Sequence, residues 1–400
     1  MTIRVLVVDD SAFARKLLAD ILSADPEIEV VGTATNGRIA LEKMARLNPD
    51  VVTLDIEMPE LDGLETLAQI RKDRPKLPVI MCSTLTERGA ITTLDALAAG
   101  ATDYVTKPSS SENLAASVEH VRGQLLRRVK ALGRRGPAIL TLSAPPPRVD
   151  GPPRPEARVS IWPPAAGAPR EGAPAKPRDG HLSLGGLAAT GVVAIGASTG
   201  GPAALSNLLP KVVRDVRLPI VIVQHMPPVF TTQFAARLGT LSGIEVREAV
   251  DGDLLEPGKA WVAPGDHHMA LVRDGLNVRI ALNQGPPENS CRPAVDVLFR
   301  SVATVFGKRA VAVVLTGMGQ DGYLGARDIR AAGGQVLAQD EATSVVWGMP
   351  GAVVRHQLAQ AVLPLDQLPS EIARCVIASS MPAARAGGLA GPRKETSSEH

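Results

Sequence analysis

The sequence predicts an α/β protein: an N-terminal doubly wound domain joined by a Pro-rich linker to a second α/β domain with a mainly parallel sheet. Three observations carry this. Short apolar runs alternate with amphipathic stretches over residues 1–125, and they do so again over residues 187–379. Strands covered by helices on both faces read as continuous apolar runs of this kind. Between the two regions, from about residue 133 to 186, Pro145-Pro146-Pro147, Pro152-Pro153 and Pro163-Pro164 stand in an Ala/Gly/Arg background without apolar period, the composition of an extended linker.

The 400 residues leave room for both domains. Lysine and arginine (43) nearly balance aspartate and glutamate (41), and aromatics make up 2% of the chain. Neither a basic nucleic-acid face nor a base-stacking platform is expected from such a composition. Cys82, Cys291 and Cys375 lack metal spacing and read as structural thiols in a reducing cytoplasm. The chain starts with a strand, Ile3-Arg4-Val5-Leu6-Val7-Val8, where a signal peptide would stand. No apolar run approaches the ~20 residues of a spanning helix, so a soluble cytoplasmic protein without membrane insertion is expected.

In the first domain, strands are predicted at Val5–Val8, Val30–Gly32, Val51–Leu54, Val79–Cys82 and Asp103–Val105, with helices at Ala12–Leu22 and Gly63–Arg71. Asp9 and Asp10 close the first strand and Asp55 the third. The C-terminal strand ends of a parallel sheet share one edge, so three carboxylates would meet there and repel unless a cation joined them. Mg²⁺ suits that place, being hard and able to take phosphate oxygens as further ligands. Ser83 and Lys107, at the fourth and fifth strand ends, would bind the remaining oxygens of a phosphoryl group. Singly, each residue has a plainer reading as a helix cap, a turn residue or a solvated lysine. Together, at four strand ends, they point to one site.

These residues resemble a response-regulator receiver domain over roughly residues 1–122: Val7-Val8-Asp9-Asp10-Ser11, Asp55-Ile56-Glu57-Met58-Pro59 with Asp62-Gly63, Cys82-Ser83-Thr84 and Tyr104-Val105-Thr106-Lys107-Pro108. The resemblance implies Asp55 as phosphoacceptor. It implies Mg²⁺ held, directly or through water, by Asp9, Asp10, Asp55 and the Glu57 backbone carbonyl. Ser83 and Lys107 would then sense the phosphoryl group, with Tyr104 as the aromatic switch.

The second domain opens with the run Gly191–Ile195 and then Gly196-Ala197-Ser198-Thr199-Gly200, a serine on a glycine-flanked strand-to-helix turn. Further strands are predicted at Pro219–Val223, Ala260–Val262 and Val311–Leu315, and helices at Pro202–Leu209, Thr231–Leu241, Ala294–Val305 and Gly325–Ala332. A serine nucleophile needs a base, usually a histidine oriented by a carboxylate. His225 ends an apolar strand, which would put it on the sheet edge that carries Ser198. His267-His268 read as structural or rim residues, and His120, His181, His356 and His400 lack a strand-end setting. For the acid, Asp321 lies in the glycine-rich loop Thr316-Gly317-Met318-Gly319-Gln320-Asp321-Gly322; Asp340 competes, and Asp321 is preferred for its richer loop. The order Ser, His, Asp differs from the Ser, Asp, His of α/β-hydrolases and points to another fold. A dinucleotide fingerprint fails, because Ser198 occupies the place of its second glycine.

From about residue 190 to 375 the chain is similar to the CheB family of chemotaxis protein-glutamate methylesterases. The resemblance rests on Ile195–Pro202, Gln224-His225-Met226-Pro227, Ala263–Met269, Leu315–Gly322 and Gln339–Pro350. It implies Ser198 as nucleophile, His225 as general base and acid, Asp321 as orienting carboxylate and the Met318 backbone N–H as oxyanion donor. The linker is longer than the family's, and the tail at 380–400, read as disordered, is additional. The implied function is a phosphorylation-activated serine hydrolase acting on glutamate methyl esters of chemoreceptor cytoplasmic helices, and also on glutamines. Its phosphodonor would be the chemotaxis histidine kinase, Mg²⁺ would serve phosphorylation, and the hydrolysis would need no cofactor. The unphosphorylated receiver would sit over Ser198. The alternative is a non-enzymatic docking module controlled by Asp55 phosphorylation.

Overall fold

The computed structural model describes residues 2–108, 114–133 and 191–380. Residues 134–186 of the predicted linker, His181, His400 and the tail beyond 380 lie outside these residues.

The first domain alternates β1 (Ile3–Val8), α1 (Ala12–Ser23), β2 (Ile28–Ala34), α2 (Gly37–Leu47), β3 (Val51–Asp55), α3 (Gly63–Asp73), β4 (Val79–Ser83), α4 (Glu87–Ala98), β5 (Asp103–Thr106) and α5 (Leu114–Gly133). Its sheet is wholly parallel, in the order β2-β1-β3-β4-β5. The winding reverses between β1 and β3, so Asp9 and Asp55 flank the crevice at the switch point. Local chemistry sets the helix starts: Ser11 caps α1, and Asp62 with Glu65 closes a capping box on α3. Helix α5 runs to Gly133, past the boundary expected at 125, because Val129 and Leu132 are buried against the domain core.

The second domain comprises β6 (Val192–Ala197), α6 (Gly201–Asp215), β7 (Ile220–Gln224), α7 (Pro228–Ser242), β8 (Val246–Glu248), β9 (Ala260–Val262), β10 (His268–Asp274), β11 (Asn277–Asn283), α8 (Val295–Phe306), β12 (Ala310–Val314), α9 (Tyr323–Ala331), β13 (Gln335–Gln339), α10 (Met349–Arg355), β14 (Ala361–Leu363) and α11 (Leu368–Ser380). Seven parallel strands lie in the order β14-β13-β12-β6-β7-β9-β8, while β10 and β11 form a separate antiparallel hairpin. Alternation along β6 sends Val193 and Ile195 into one core with Leu205, Leu208 and Phe234, and Val192 and Ala194 into another with Val295, Leu298 and Phe299. Helix α6 continues through Pro210 to Asp215, beyond the predicted end at Leu209. Burial of Leu208, Leu209, Val212 and Val213 along one face outweighs the hydrogen bond that the proline forgoes.

The two domains pack together. Helix α4 lies against α6 and α7, and the Tyr104 ring stacks on Phe230 with centroids 4.7 Å apart. Arg237 pairs with Asp95 at 2.5 Å, and Gln233 donates to Glu87 at 2.9 Å. Thr199 Oγ1 donates to Asp103 Oδ2 at 2.7 Å, and Arg128 Nε holds the same oxygen at 2.9 Å.

Candidate active site

At the switch point of the first sheet, ligand oxygens of Asp9, Asp10 and Asp55 lie within 4.8 Å of one another. Lys107 Nζ reaches Asp9 Oδ2 at 2.8 Å and Asp55 Oδ2 at 2.7 Å. Burial raises the Asp55 pKa to about 6, against the lowering effect of Lys107 and with a further rise from Asp9. Asp9 Oδ2 is buried and, Lys107 apart, meets no aligned donor among the described residues. One ammonium thus faces three carboxylates, a donor set and charge excess that fit a hard divalent cation. Glu57, Ser83, Thr84 and Gly89 complete a cavity of about 210 Å³ around Asp55. Ser83 Oγ donates to Gly89 O at 3.1 Å. Tyr104 is buried and lies away from that cavity's lining, against Phe230 of the second domain.

In the second domain, Ser198 follows β6 and precedes α6. Its N–H donates to Thr316 O at 3.0 Å, and its carbonyl accepts from Gly201 N at 2.8 Å and Gln224 Nε2 at 3.0 Å. Gly200 sits at φ +77° with Val345 packed over its Cα, and a Cβ on Gly201 would fall 2.0 Å from Gln224 Oε1. Only glycines allow this turn its shape and its neighbours.

His225 follows β7, and its Nε2 lies 2.8 Å from Asp321 Oδ2. Asp321 is 2% exposed, yet its oxygens accept from Val295 N (2.6 Å), Asp296 N (3.0 Å) and Gly322 N (2.9 Å). Val295 and Asp296 open α8, whose N-cap Ala294 has no capping side chain. Asp321 therefore caps that helix from outside, and the free N–H groups at the helix start stabilise its charge. Burial would raise its pKa; His225 and these N–H groups more than offset that and hold it below the usual carboxylate range. For His225, burial opposes the charged form, but Cys291 and Asp321, facing the two ring nitrogens, push its pKa up to about 10.

The structure brings His225 and Asp321 together but gives Ser198 Oγ no hydrogen bond among the described residues. His225 Nδ1 instead faces Cys291 Sγ at 3.5 Å. Cys291, expected to be merely structural, is thus a neighbour of the candidate base. Nothing in its spacing marked it, because the contact is made by a loop that is distant in sequence. The loop after β12 passes over the serine: a Cβ on Gly317 would lie 2.8 Å from Ser198 Cβ. Met318, next in that loop, is partly exposed, and its N–H has no acceptor among the described residues. Asp340 accepts from Thr343 N and Oγ1 in its own turn. His268 is structural, with Nδ1 accepting from Ala294 N and Nε2 against Pro286 O, and the His356 ring lies tilted against Tyr323.

Residues 193–372 match the family described as CheB methylesterase, and residues 5–119 match the response regulator receiver domain. The chain is 52% identical over 377 residues to a protein-glutamate methylesterase/protein-glutamine glutaminase of Nocardioides sp., covering 93% of this chain and 95% of that one. It is 48% identical to a protein of the same name from Trichodesmium erythraeum, covering 93% and 98%. The crystal structure of the Thermotoga maritima CheB methylesterase catalytic domain is similar at 41% identity and a TM-score of 0.45, over 46% of this chain and 97% of that one.

Proposed function

The chain belongs to the CheB methylesterase family and carries a response-regulator receiver domain in front, and from that premise we propose that it is a phosphorylation-controlled hydrolase of glutamate methyl esters on chemoreceptor cytoplasmic helices. What supports this reading is that His225 is bonded to Asp321 at 2.8 Å and follows β7, the neighbour of the strand β6 that Ser198 follows. In it, Ser198 Oγ attacks the ester carbonyl carbon. Its proton passes to His225 Nδ1, the ring nitrogen that Asp321 leaves available, as the side chain exchanges Cys291 for the serine. The oxyanion is met by the Met318 N–H. The C–O bond to the methoxy group breaks, His225 returns the proton, and methanol leaves. Water, activated by the same histidine, then releases the glutamate. The same residues hydrolyse receptor glutamines, with ammonia as the leaving group. Mass spectrometry of a methylated receptor fragment before and after incubation tests the reading; unchanged methyl esters would overturn it.

The base sets the pH dependence. A raised pKa favours the protonated imidazole, which cannot accept the serine proton, so activity grows with the neutral fraction as pH rises. Methanol release, corrected with a Ser198→Ala blank, is expected to climb about tenfold per pH unit between roughly pH 7 and 9. Cys291→Ser removes an ionisable group from Nδ1 and should move that limb to lower pH. An unmoved limb would exclude Cys291 as a cause of the shift.

In the receiver, Asp55 is the proposed phosphoacceptor, with the chemotaxis histidine kinase as donor. Asp9, Asp10, Asp55 and the Glu57 carbonyl would hold Mg²⁺, which supplies neutralising charge for phosphoryl transfer. Lys107 would hold phosphoryl oxygens, and Ser83 would turn from Gly89 to do the same. Chelation with EDTA should therefore stop labelling of Asp55 by acetyl phosphate while leaving basal ester hydrolysis intact. Labelling that persists in EDTA would remove the metal from this scheme. Among the described residues no helix is long and apolar enough to cross a membrane; we place the protein in the cytoplasm, where receptor helices and kinase are reachable.

A further inference from the structure

The turn that brings Cys291 to His225 also reaches Asp321. Glu288 and Cys291 exchange backbone hydrogen bonds at 3.1 and 2.8 Å, with Asn289 (φ +52°) and Ser290 (φ +61°) at the tip. Two successive left-handed residues are uncommon outside glycine, and asparagine tolerates the position best. From this tip Asn289 Nδ2 donates to Asp321 Oδ1 at 3.0 Å and to Asp296 Oδ2 at 3.0 Å. Both partners are carboxylates, so the amide orientation is fixed by chemistry: only the NH₂ end can face them.

Asp296 and Asp321 are 1% and 2% exposed and repel each other. Each caps the other's helix. Asp321, just before α9, receives the first N–H groups of α8, while Asp296, in α8, receives Gly325 N of α9 at 2.7 Å. Backbone donors thus serve both, but Asn289 is the side chain that joins them. We propose that Asn289 is a positioning residue of the hydrolytic reaction: its amide bridges Asp321 to Asp296 and fixes the carboxylate that orients His225. The inference rests on the hydrolase reading above. Asn289 itself is exposed and lies in a loop, so its side chain can be changed without opening a core.

The test uses the full-length chain and methanol release from methylated receptor fragment. Asn289→Gly removes the amide and suits the left-handed backbone. Asn289→Asp keeps the shape but replaces two donors with a third carboxylate. The charged and titratable groups around the bridge are Asp321, Asp296, His225, Cys291, Glu288 and Arg300. With wild-type protein active and thermal midpoints preserved, Asn289→Gly should lose about tenfold in kcat with KM unchanged. Asn289→Asp, which sets a third carboxylate against Asp321 and Asp296 in place of a donor, should lose more than Asn289→Gly. Variants within twofold of wild type, a loss confined to KM, or an Asp variant no worse than the Gly variant would overturn the role. Inactive wild-type protein would instead overturn the hydrolase reading itself.

Discussion

Replacing Ser198 with alanine is expected to abolish methanol release from methylated receptor, by about 10⁴-fold or more, while Asp55 still accepts phosphate. The size follows from the geometry. In the proposed reaction the hydroxyl is the one group of the triad that forms a bond to substrate. Cys291, although 3.5 Å from His225 Nδ1, sits on the loop after β11, whereas Ser198 lies against Gly317, the residue before Met318. The turn itself survives the change, because it is held by Ser198 N to Thr316 O and by Gly201 N to Ser198 O. Substantial methanol release from this variant would displace Ser198 as nucleophile, and Cys291→Ser in the same background would then show whether the thiol had taken over.

The second large effect concerns access. Deleting residues 1–180 is expected to raise basal hydrolysis about 10- to 50-fold, the gain available when a competent state populated at a few per cent becomes dominant. The receiver binds the residue next to the proposed nucleophile: Asp103, steadied by Arg128, accepts from Thr199 Oγ1 at 2.7 Å. Around that contact Tyr104 stacks on Phe230, and Arg237 pairs with Asp95. Tyr104 belongs to β5, whose far end carries into Lys107 at the proposed phosphoryl-accepting pocket, so a change at Asp55 would have a short path to Phe230. Truncation also uncovers Phe230 and Phe234, both buried in the intact chain, and needs a companion that leaves the chain whole. Arg237→Glu supplies it by setting like charges at Asp95. The exposed pair is worth at most about 1 kcal/mol, so the reversal should raise basal activity several-fold and weaken further stimulation by acetyl phosphate. Flat or lower activity in both proteins would mean that the receiver does not restrain the site.

Much of the site was legible because strand ends are legible. Val5–Val8, Val51–Leu54, Val192–Ile195 and Val311–Leu315 are largely apolar runs of the kind that strands of a doubly covered parallel sheet present. The residues that follow such runs must gather at one edge, which is how Asp9, Asp55, Ser198, His225 and Asp321 stand out. Boundaries were less legible. Helix α6 outruns its predicted end and α5 continues past the domain boundary expected at 125, because burial against distant elements overrides local signals such as Pro210.

The sequence by itself determined two α/β domains, the acidic cluster with Lys107 proposed to accept a phosphoryl group, and the Ser–His–Asp candidates, since each depends on a short motif attached to a strand. Tertiary structure alone decided what those groups touch. It set Cys291 on the free nitrogen of His225, Asn289 between two buried carboxylates, and the receiver's Asp103 on Thr199 beside Ser198. Apart from Asn289 and Asp296, which are seven residues apart, these partners lie tens of residues from one another in the chain and carry no shared period or spacing. Their proximity is a consequence of sheet order and helix packing, and local sequence encodes neither directly.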